Sequence, residues 1–253
     1  MVYRVVIRRL EALFILVMLA AHGGQPLGAQ ARPDFTGVWT DYVDPQQPAG
    51  GGGGGVPGTA VDLPLTADAR QRVESYRKLV GPTGDTPGAY CLGPGMPALL
   101  FGGATYPMEI IHKPEQITII HELHNDVRRI YLGSRNMSEA DRLPGRNGYS
   151  NAYWEGDALV VETTKLVEQV DQRYPHSDRA RVVERYQLTA SPRGERVLVI
   201  DMTMTDPLFY TRPVTGQKKW VEVLNGHLLP YDCAEEGWRK RIEQLEKSAT
   251  ANR

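Results

Sequence analysis

The chain has 253 residues, with 29 basic and 30 acidic side chains and a formal net charge of −1. This length accommodates one large domain or two small ones. The charge is nearly balanced and forms no basic block. Nucleic acid is therefore not an expected partner, because affinity for it comes largely from clustered Lys and Arg.

The first 31 residues have the pattern of a secretory signal peptide. Arg4, Arg8 and Arg9 precede the apolar run ALFILVMLAA at 12–21, and Ala29-Gln30-Ala31 offers small residues for cleavage after Ala31. An uncleaved anchor helix is the alternative. It is disfavoured because ten apolar residues span only about 15 Å as a helix, roughly half a bilayer core. We expect export to the periplasm or the medium, with no membrane association after cleavage.

The mature chain, residues 32–253, is predicted to be a single domain that begins with a strand at Gly37-Val38-Trp39. Residues 48–58 (PAGGGGGGVPG) form a Gly-rich loop, because consecutive glycines pack no side chain and lose much entropy on ordering. Residues 66–80 form an amphipathic helix capped by Thr66. A second helix is predicted over 235–249.

Only two cysteines occur, Cys91 and Cys233. An even number of cysteines in an exported chain favours a disulfide between them. The chain-entropy model gives such a bond about 4–5 kcal/mol, because the loop that it closes is long. Two free thiols and a soft metal site are the alternatives, and the metal site lacks neighbouring His ligands.

Short segments of strand-like sequence fill the rest of the chain, and most are joined by tight turns containing Asn, Asp, Gly or Pro. After the Trp39 strand they lie at 106–113, 116–124, 127–132, 149–155, 158–164, 180–190, 195–205 and 218–224. Successive hairpins form an antiparallel meander, and closure into a ring best protects its edges. We therefore predict a mainly β fold, a single antiparallel up-and-down β-barrel with two helices.

Two resemblances extend this prediction. Gly37-Val38-Trp39 resembles the Gly-x-Trp signature of lipocalin-type barrels, in which the Trp plugs the closed end. The stretches PDFTGVWT, YPMEII, VRRIYL, YWEGDALVVETT and DPLFYTRP resemble an uncharacterised family of exported, β-rich proteins of soil bacteria. This second likeness implies export and a β-rich fold, and it brings no catalytic residue with it.

Counting outward from two-residue turns pairs Glu109 with Ile120 and Glu122 with Arg129 across neighbouring strands. Glu109, Glu122, Arg129 and Tyr131 then share one mixed face, and the opposite face is apolar. The mixed face is interpreted either as a solvated outer surface or as the lining of a cavity in a wide barrel. In the cavity, Arg129 would orient one carboxylate while Glu109 or Glu122 acted as a base.

The remaining site candidates lie in loops and near the barrel ends. His176 in RYPHSD is a candidate general acid or base, because a loop His titrates near neutrality, or else a turn-capping residue. Tyr210 and Arg212 in DPLFYTRP are candidates for gripping an anionic or aromatic ligand at the mouth, or else part of a turn that closes the barrel. Trp154 is a candidate for ligand contact or for the core.

Several kinds of chemistry lack their motifs. The sequence has no Gly-x-Ser-x-Gly elbow, no dinucleotide fingerprint and no His spacing suited to zinc, so no cofactor or metal is expected. The predicted function is binding of a small, partly apolar molecule in the barrel, extended by cofactor-free lyase or isomerase chemistry. The alternatives are a non-catalytic envelope module and a glycan hydrolase that uses Glu109 and Glu122.

Overall fold

The computed structural model describes residues 32–43, 63–102, 106–133 and 137–251. The predicted signal peptide at 1–31 and the Gly-rich loop at 48–58 lie outside the described residues.

Nine strands form a closed barrel in chain order, and the last strand pairs with the first. The prediction of a mainly β barrel is therefore confirmed. The strands are β1 Gly37–Asp41, β2 Met108–Lys113, β3 Gln116–His121, β4 Asp126–Leu132, β5 Tyr149–Glu155, β6 Ala158–Thr164, β7 Arg181–Ala190, β8 Arg196–Thr205 and β9 Val214–Glu222.

One pair of neighbouring strands, β4 and β5, is parallel, so the prediction of a wholly antiparallel barrel is wrong. The pair is short, with Ile130 opposite Ser150 and Leu132 opposite Ala152. The reason is one of parity. A ring in which every neighbour runs antiparallel needs an even number of strands, and this ring has nine.

Three helices accompany the barrel. They are α1 Ala67–Val80, α2 Ala98–Phe101 and α3 Cys233–Ala251. The Thr66 side chain accepts a hydrogen bond from the Ala69 amide, which confirms the predicted cap of α1. The short α2 lies in a Gly- and Pro-rich stretch whose sequence predicts only an irregular loop.

The apolar face of the strands turns inward and forms one contiguous core. Trp39 is fully buried and lies opposite Glu222, the last residue of β9, so it packs at the end of the barrel where β9 ends. Its indole Nε1 donates to the Phe35 carbonyl over 3.0 Å, and the Arg196 guanidinium lies 5.4 Å from the ring centre. Trp39 therefore helps to close that end.

The opposite end is covered by α2, whose four side chains are all buried. This helix contacts β9, the strand that begins at this end with Val214. The inward apolar side chains, Trp39 at one end and α2 at the other belong to one contiguous buried cluster.

The register between β3 and β4 differs from the prediction by four residues. Ile120 pairs with Val127 instead of Tyr131, and Thr118 pairs with Arg129. A four-residue connection replaces the two-residue turn, and it contains His124 and Asn125 in the left-handed region, with φ of 59° and 52°. An even shift leaves each side chain on its original face. The predicted Glu109–Ile120 pair is confirmed.

Cys91 and Cys233 form a disulfide, so the alternatives of free thiols and a metal site are wrong. The bond joins residues 142 apart and connects the segment before α2 to the first residue of α3. Among the described residues, no helix is both long and apolar enough to cross a bilayer.

Removing the disulfide is expected to destabilise the fold. The double variant Cys91→Ser/Cys233→Ser should unfold with a free energy lower by about 2–5 kcal/mol, because the unfolded chain regains the freedom of a long loop. Urea unfolding without reductant measures the loss. Reductant should shift the midpoint of the wild type and leave that of the variant unchanged. Equal midpoints for the two oxidised proteins would contradict the prediction.

Candidate functional site

The mixed face of the predicted sheet is the outer surface of the barrel. Glu109 pairs with Ile120 and is half-buried, whereas Arg129 is exposed. The interpretation in which Glu109, Glu122 and Arg129 line an interior cavity is therefore wrong. The opposite face points inward because it carries far more apolar area, whose burial provides the larger driving force.

Glu122 and Tyr131 make specific contacts on that outer surface. The Glu122 carboxylate accepts a hydrogen bond from the Leu229 amide over 2.7 Å, so it fastens the segment that leads to α3. The Tyr131 ring stacks on Tyr149 with 5.4 Å between centres. Glu122 and Arg129 are not cross-strand partners, because β3 ends before Glu122.

The loops that contain His176 and Tyr210 meet at one end of the barrel. The Tyr210 hydroxyl donates to the Pro175 carbonyl over 2.7 Å, and Asp206 accepts from both the amide and the hydroxyl of Ser177. His176 is fully buried, and burial lowers its pKa. His176 is therefore a neutral interior group. The predicted role of a general acid or base at the barrel mouth requires a ring that reaches solvent, and this ring does not reach it.

The remaining candidates, Trp154 and Arg212, differ in their burial. Trp154 is half-buried at the end near Trp39, where it stacks on Phe35 with 5.9 Å between ring centres. Arg32 lies 5.5 Å over the Trp154 ring, so this tryptophan belongs to the end closure. Arg212 is exposed.

Sequence reasoning missed the main polar cluster, which lies inside the barrel. Arg128 and Glu184 form an ion pair with side chains only 1% and 0% exposed. Arg128 Nη1 donates to Glu184 Oε1 over 3.0 Å and to the Tyr186 hydroxyl over 3.2 Å, while Nη2 bonds to Glu184 Oε2. Nε donates to Ser150 over 3.2 Å, and Nη2 donates to Thr163 over 2.8 Å.

This cluster holds β4 to three other strands. Burial opposes the charge on Arg128, but the attraction of Glu184 outweighs it and raises the pKa of the guanidinium. Burial also raises the pKa of Tyr186, and the neighbouring Glu184 adds to the effect. Arg128 is thus a permanent cation, and its buried guanidinium makes six hydrogen bonds to four side chains.

His121 lies in the same interior and has no such compensation. Its pKa is lowered to about 3, first by burial and then by the positive charge of Arg128. Among the described residues, its Nε2 atom has no hydrogen-bond partner. The ring is therefore held neutral.

The positions of Arg128 and Glu184 within the alternating pattern of their strands could have predicted this cluster. Arg128 alternates with Ile130 and Leu132 on the apolar face of β4, and Glu184 lies between Val182 and Tyr186 on the apolar face of β7. A charge on an apolar face rarely stays buried without a partner, so one such Arg and one such Glu predict each other.

A cleft of about 260 Å³ lies against the outside of β4, near the parallel seam. β5 pairs with β4 only at Ile130–Leu132, so within the described residues the first half of β4 has no β5 partner. The lining residues are Val127, Arg128, Arg129, Tyr131, Met137, Asp141, Leu143, Asn147, Gly148 and Tyr149.

The cleft combines the Arg129 cation and the Asp141 carboxylate with aromatic and apolar surface, and Asp141 accepts a hydrogen bond from Ser138. Arg129 is exposed, and the stacked rings of Tyr131 and Tyr149 form part of the wall. The guanidinium of Arg142 lies 4.8 Å over the Tyr149 ring, which adds positive charge nearby. Within the described residues, no group of three or more His, Cys, Asp or Glu is placed to hold a metal ion.

No protein-family model matches the sequence, and a comparison with curated proteins gives no significant match. Function is therefore inferred from the geometry of this chain alone.

Breaking the interior ion pair should cost far more than removing both partners. Arg128→Met should lower the unfolding free energy by about 3–5 kcal/mol, because it leaves a buried carboxylate without its cation. Arg128→Met/Glu184→Met should recover part of that loss. As a matched control, Arg185→Met removes the exposed pair with Glu155 and should cost under about 1 kcal/mol. Equal urea midpoints for Arg128→Met and Arg185→Met would contradict the prediction.

His121 should make stability depend on pH. The unfolded chain binds a proton on this ring near pH 6.5, whereas the folded protein binds it only near pH 3. The unfolding free energy should therefore fall as pH drops below about 6.5, by up to about 1.4 kcal/mol per pH unit from this group. His121→Leu should reduce the fall of the urea midpoint between about pH 7.5 and about pH 4.5.

The exposed His227 provides the control for that series. His227→Leu should keep the wild-type slope, because its ring is solvated in both states. A His121→Leu slope as steep as that of the wild type would show that other groups cause the acid destabilisation.

Proposed function

We propose that this chain is an exported, lipocalin-like barrel that binds a small, partly apolar anion in the cleft beside β4. One observation carries the proposal: an exposed Arg129 and the stacked rings of Tyr131 and Tyr149 line the same opening near the parallel seam. A planar anion satisfies both features, since its charge pairs with the guanidinium and its ring packs on the aromatic wall.

The proposed binding site lies on the outside of the barrel, whereas the sequence suggests a site in the barrel interior. The barrel interior is occupied by the apolar core and the Arg128–Glu184 cluster, whose side chains are almost completely buried. A cleft of about 260 Å³ is near the lower size of ligand sites and suits a molecule of about ten non-hydrogen atoms.

We propose binding without turnover. Glu109, Glu122 and His176, the groups predicted to act as acids or bases, are not among the residues that line the cleft. Glu122 is also engaged with the Leu229 amide, which makes it a poor half of a carboxylate pair for glycan hydrolysis.

Export is part of the proposal. The signal-peptide pattern and the resemblance to exported bacterial proteins support it. The Cys91–Cys233 bond adds support, because disulfides persist mainly in oxidising compartments.

The probe for the cleft is 4-hydroxybenzoate, which has one ring and one carboxylate, compared with the neutral 4-hydroxybenzamide. Calorimetric titration should give a Kd of about 0.1–1 mM for the acid, as expected of so small a ligand. The amide should bind about tenfold more weakly or not at all, since it offers no charge to Arg129.

Arg129→Gln should weaken binding of the acid about five- to tenfold. Arg193→Gln changes an exposed arginine in the β7–β8 turn and should leave the Kd unchanged. Equal affinity for acid and amide would exclude an anion site. Absence of binding at about 10 mM acid would exclude the proposed ligand class and favour a structural module of the envelope.

A further inference from the structure

The C-terminal helix α3 stands out because it buries almost none of its surface. It spans Cys233–Ala251, 19 residues, which corresponds to about 28 Å. Of its side chains that the structure describes, only Cys233 and Glu243 are half-buried, and the others are exposed. The helix is anchored at its first residue by the disulfide and contacts the 3-10 turn at Pro87–Tyr90.

One face of α3 is apolar. Trp238, Ile242 and Leu245 are 66%, 36% and 45% exposed, and they are spaced four and three residues apart. This spacing places the three side chains along a single stripe. An aligned Trp, Ile and Leu on a helix that projects into water is the pattern of a surface that pairs with another helix.

We propose that α3 pairs antiparallel with α3 of a second copy of this chain. Ile242 is the central residue of the helix, with nine residues on either side of it. A two-fold axis at Ile242 lets the two helices overlap along their whole length and brings Trp238 of one copy close to Leu245 of the other. The two barrels then lie at opposite ends of the helix pair, where they do not obstruct each other. Such a contact is closed and self-complementary.

The charges beside the stripe fit the antiparallel arrangement. Arg239 follows Trp238 and Glu246 follows Leu245, so both flank the same edge of the stripe. Antiparallel pairing about Ile242 brings Arg239 of each copy to Glu246 of the other. Arg239 pairs with Glu236 and Glu243 within its own helix, so the two symmetric contacts add to pairs that each helix already makes. In a parallel pair, Arg241 would be the residue opposite Glu246 instead.

The size of the stripe sets the expected strength. Three large apolar side chains per copy form a small contact, well below the roughly 800 Å² per partner of a standard stable interface. The dimer should therefore be weak and should dissociate on dilution within the micromolar range.

Sedimentation equilibrium of the mature protein tests the stripe. Between about 1 and 200 µM, the wild-type mass should rise from that of a monomer toward that of a dimer. Trp238→Glu and Leu245→Glu should each raise the dimer Kd at least about tenfold. Leu79→Glu is the matched control, because Leu79 is 75% exposed on α1, and it should leave the Kd unchanged.

Charge exchange tests the orientation. Arg239→Glu and Glu246→Arg should each weaken the dimer, and the double variant Arg239→Glu/Glu246→Arg should restore it. Arg241→Glu/Glu246→Arg should give no restoration. Far-UV circular dichroism checks that each variant keeps its helix, since Arg239 also pairs with Glu236 within α3.

Three results would overturn the proposal. The wild type could stay monomeric up to about 200 µM, or it could dimerise equally well with Glu at positions 238 and 245. Restoration by the Arg241 double variant instead of the Arg239 one would show parallel pairing and reject the two-fold arrangement.

Discussion

A closed ring of nine strands requires at least one parallel neighbour pair, and here its position determines where the outer cleft opens. Between β4 and β5 the chain must run back along the barrel wall, whereas every other neighbour pair is antiparallel. The parallel ladder involves only three residues of each strand. The first half of β4 thus borders on connecting chain rather than on β5, and the cleft opens there.

Arg128 compensates for the short ladder from inside the barrel. Its guanidinium reaches Ser150 on β5, Thr163 on β6 and Glu184 on β7, so one side chain connects four strands at the seam. A buried ion pair contributes little net free energy compared with apolar residues of equal volume. Its geometric demands are strict, however, and a shifted β4 would leave a buried charge unpaired. The pair therefore helps to specify the register at the parallel seam, where the ladder is only three residues long.

The sequence predicts local features better than the relations between distant strands. The Thr66 cap and the hairpin at Pro114-Glu115 are encoded within a few residues, and both are confirmed. The connection after β3 is mispredicted because His124 and Asn125 adopt left-handed conformations that no local glycine announces. The presence of a parallel pair could also be predicted, because nine strands cannot close into a ring as a wholly antiparallel meander.

The functional residues are harder to predict than the fold. The outer face with Arg129 and Tyr131 and the interior pair of Arg128 and Glu184 have to be recognised from different signals. Arg129 and Tyr131 were found as a mixed face, yet whether that face lines a cavity depends on the surrounding chain. Arg128, the residue before Arg129, lies among apolar neighbours, and its partner Glu184 interrupts the apolar face of β7 in the same way. A charged residue at a position that the alternation pattern assigns to the apolar face is the most informative kind. Here the partner of Arg128, Glu184, is 56 residues away in the sequence.

The first strand and the last helix of the described chain are stabilised by opposite means. Phe35 and Trp39 are held by burial, and their removal from water supplies the driving force. α3 has little burial to hold it, and short isolated helices are marginal in water. It relies instead on the covalent bond at Cys233, on Glu235 and Glu236 in its first turn, and on the Glu236–Arg239 pair within the helix. Because none of these anchors uses the side chains of Trp238, Ile242 and Leu245, the apolar stripe stays uncovered and can contact a partner without disturbing the barrel.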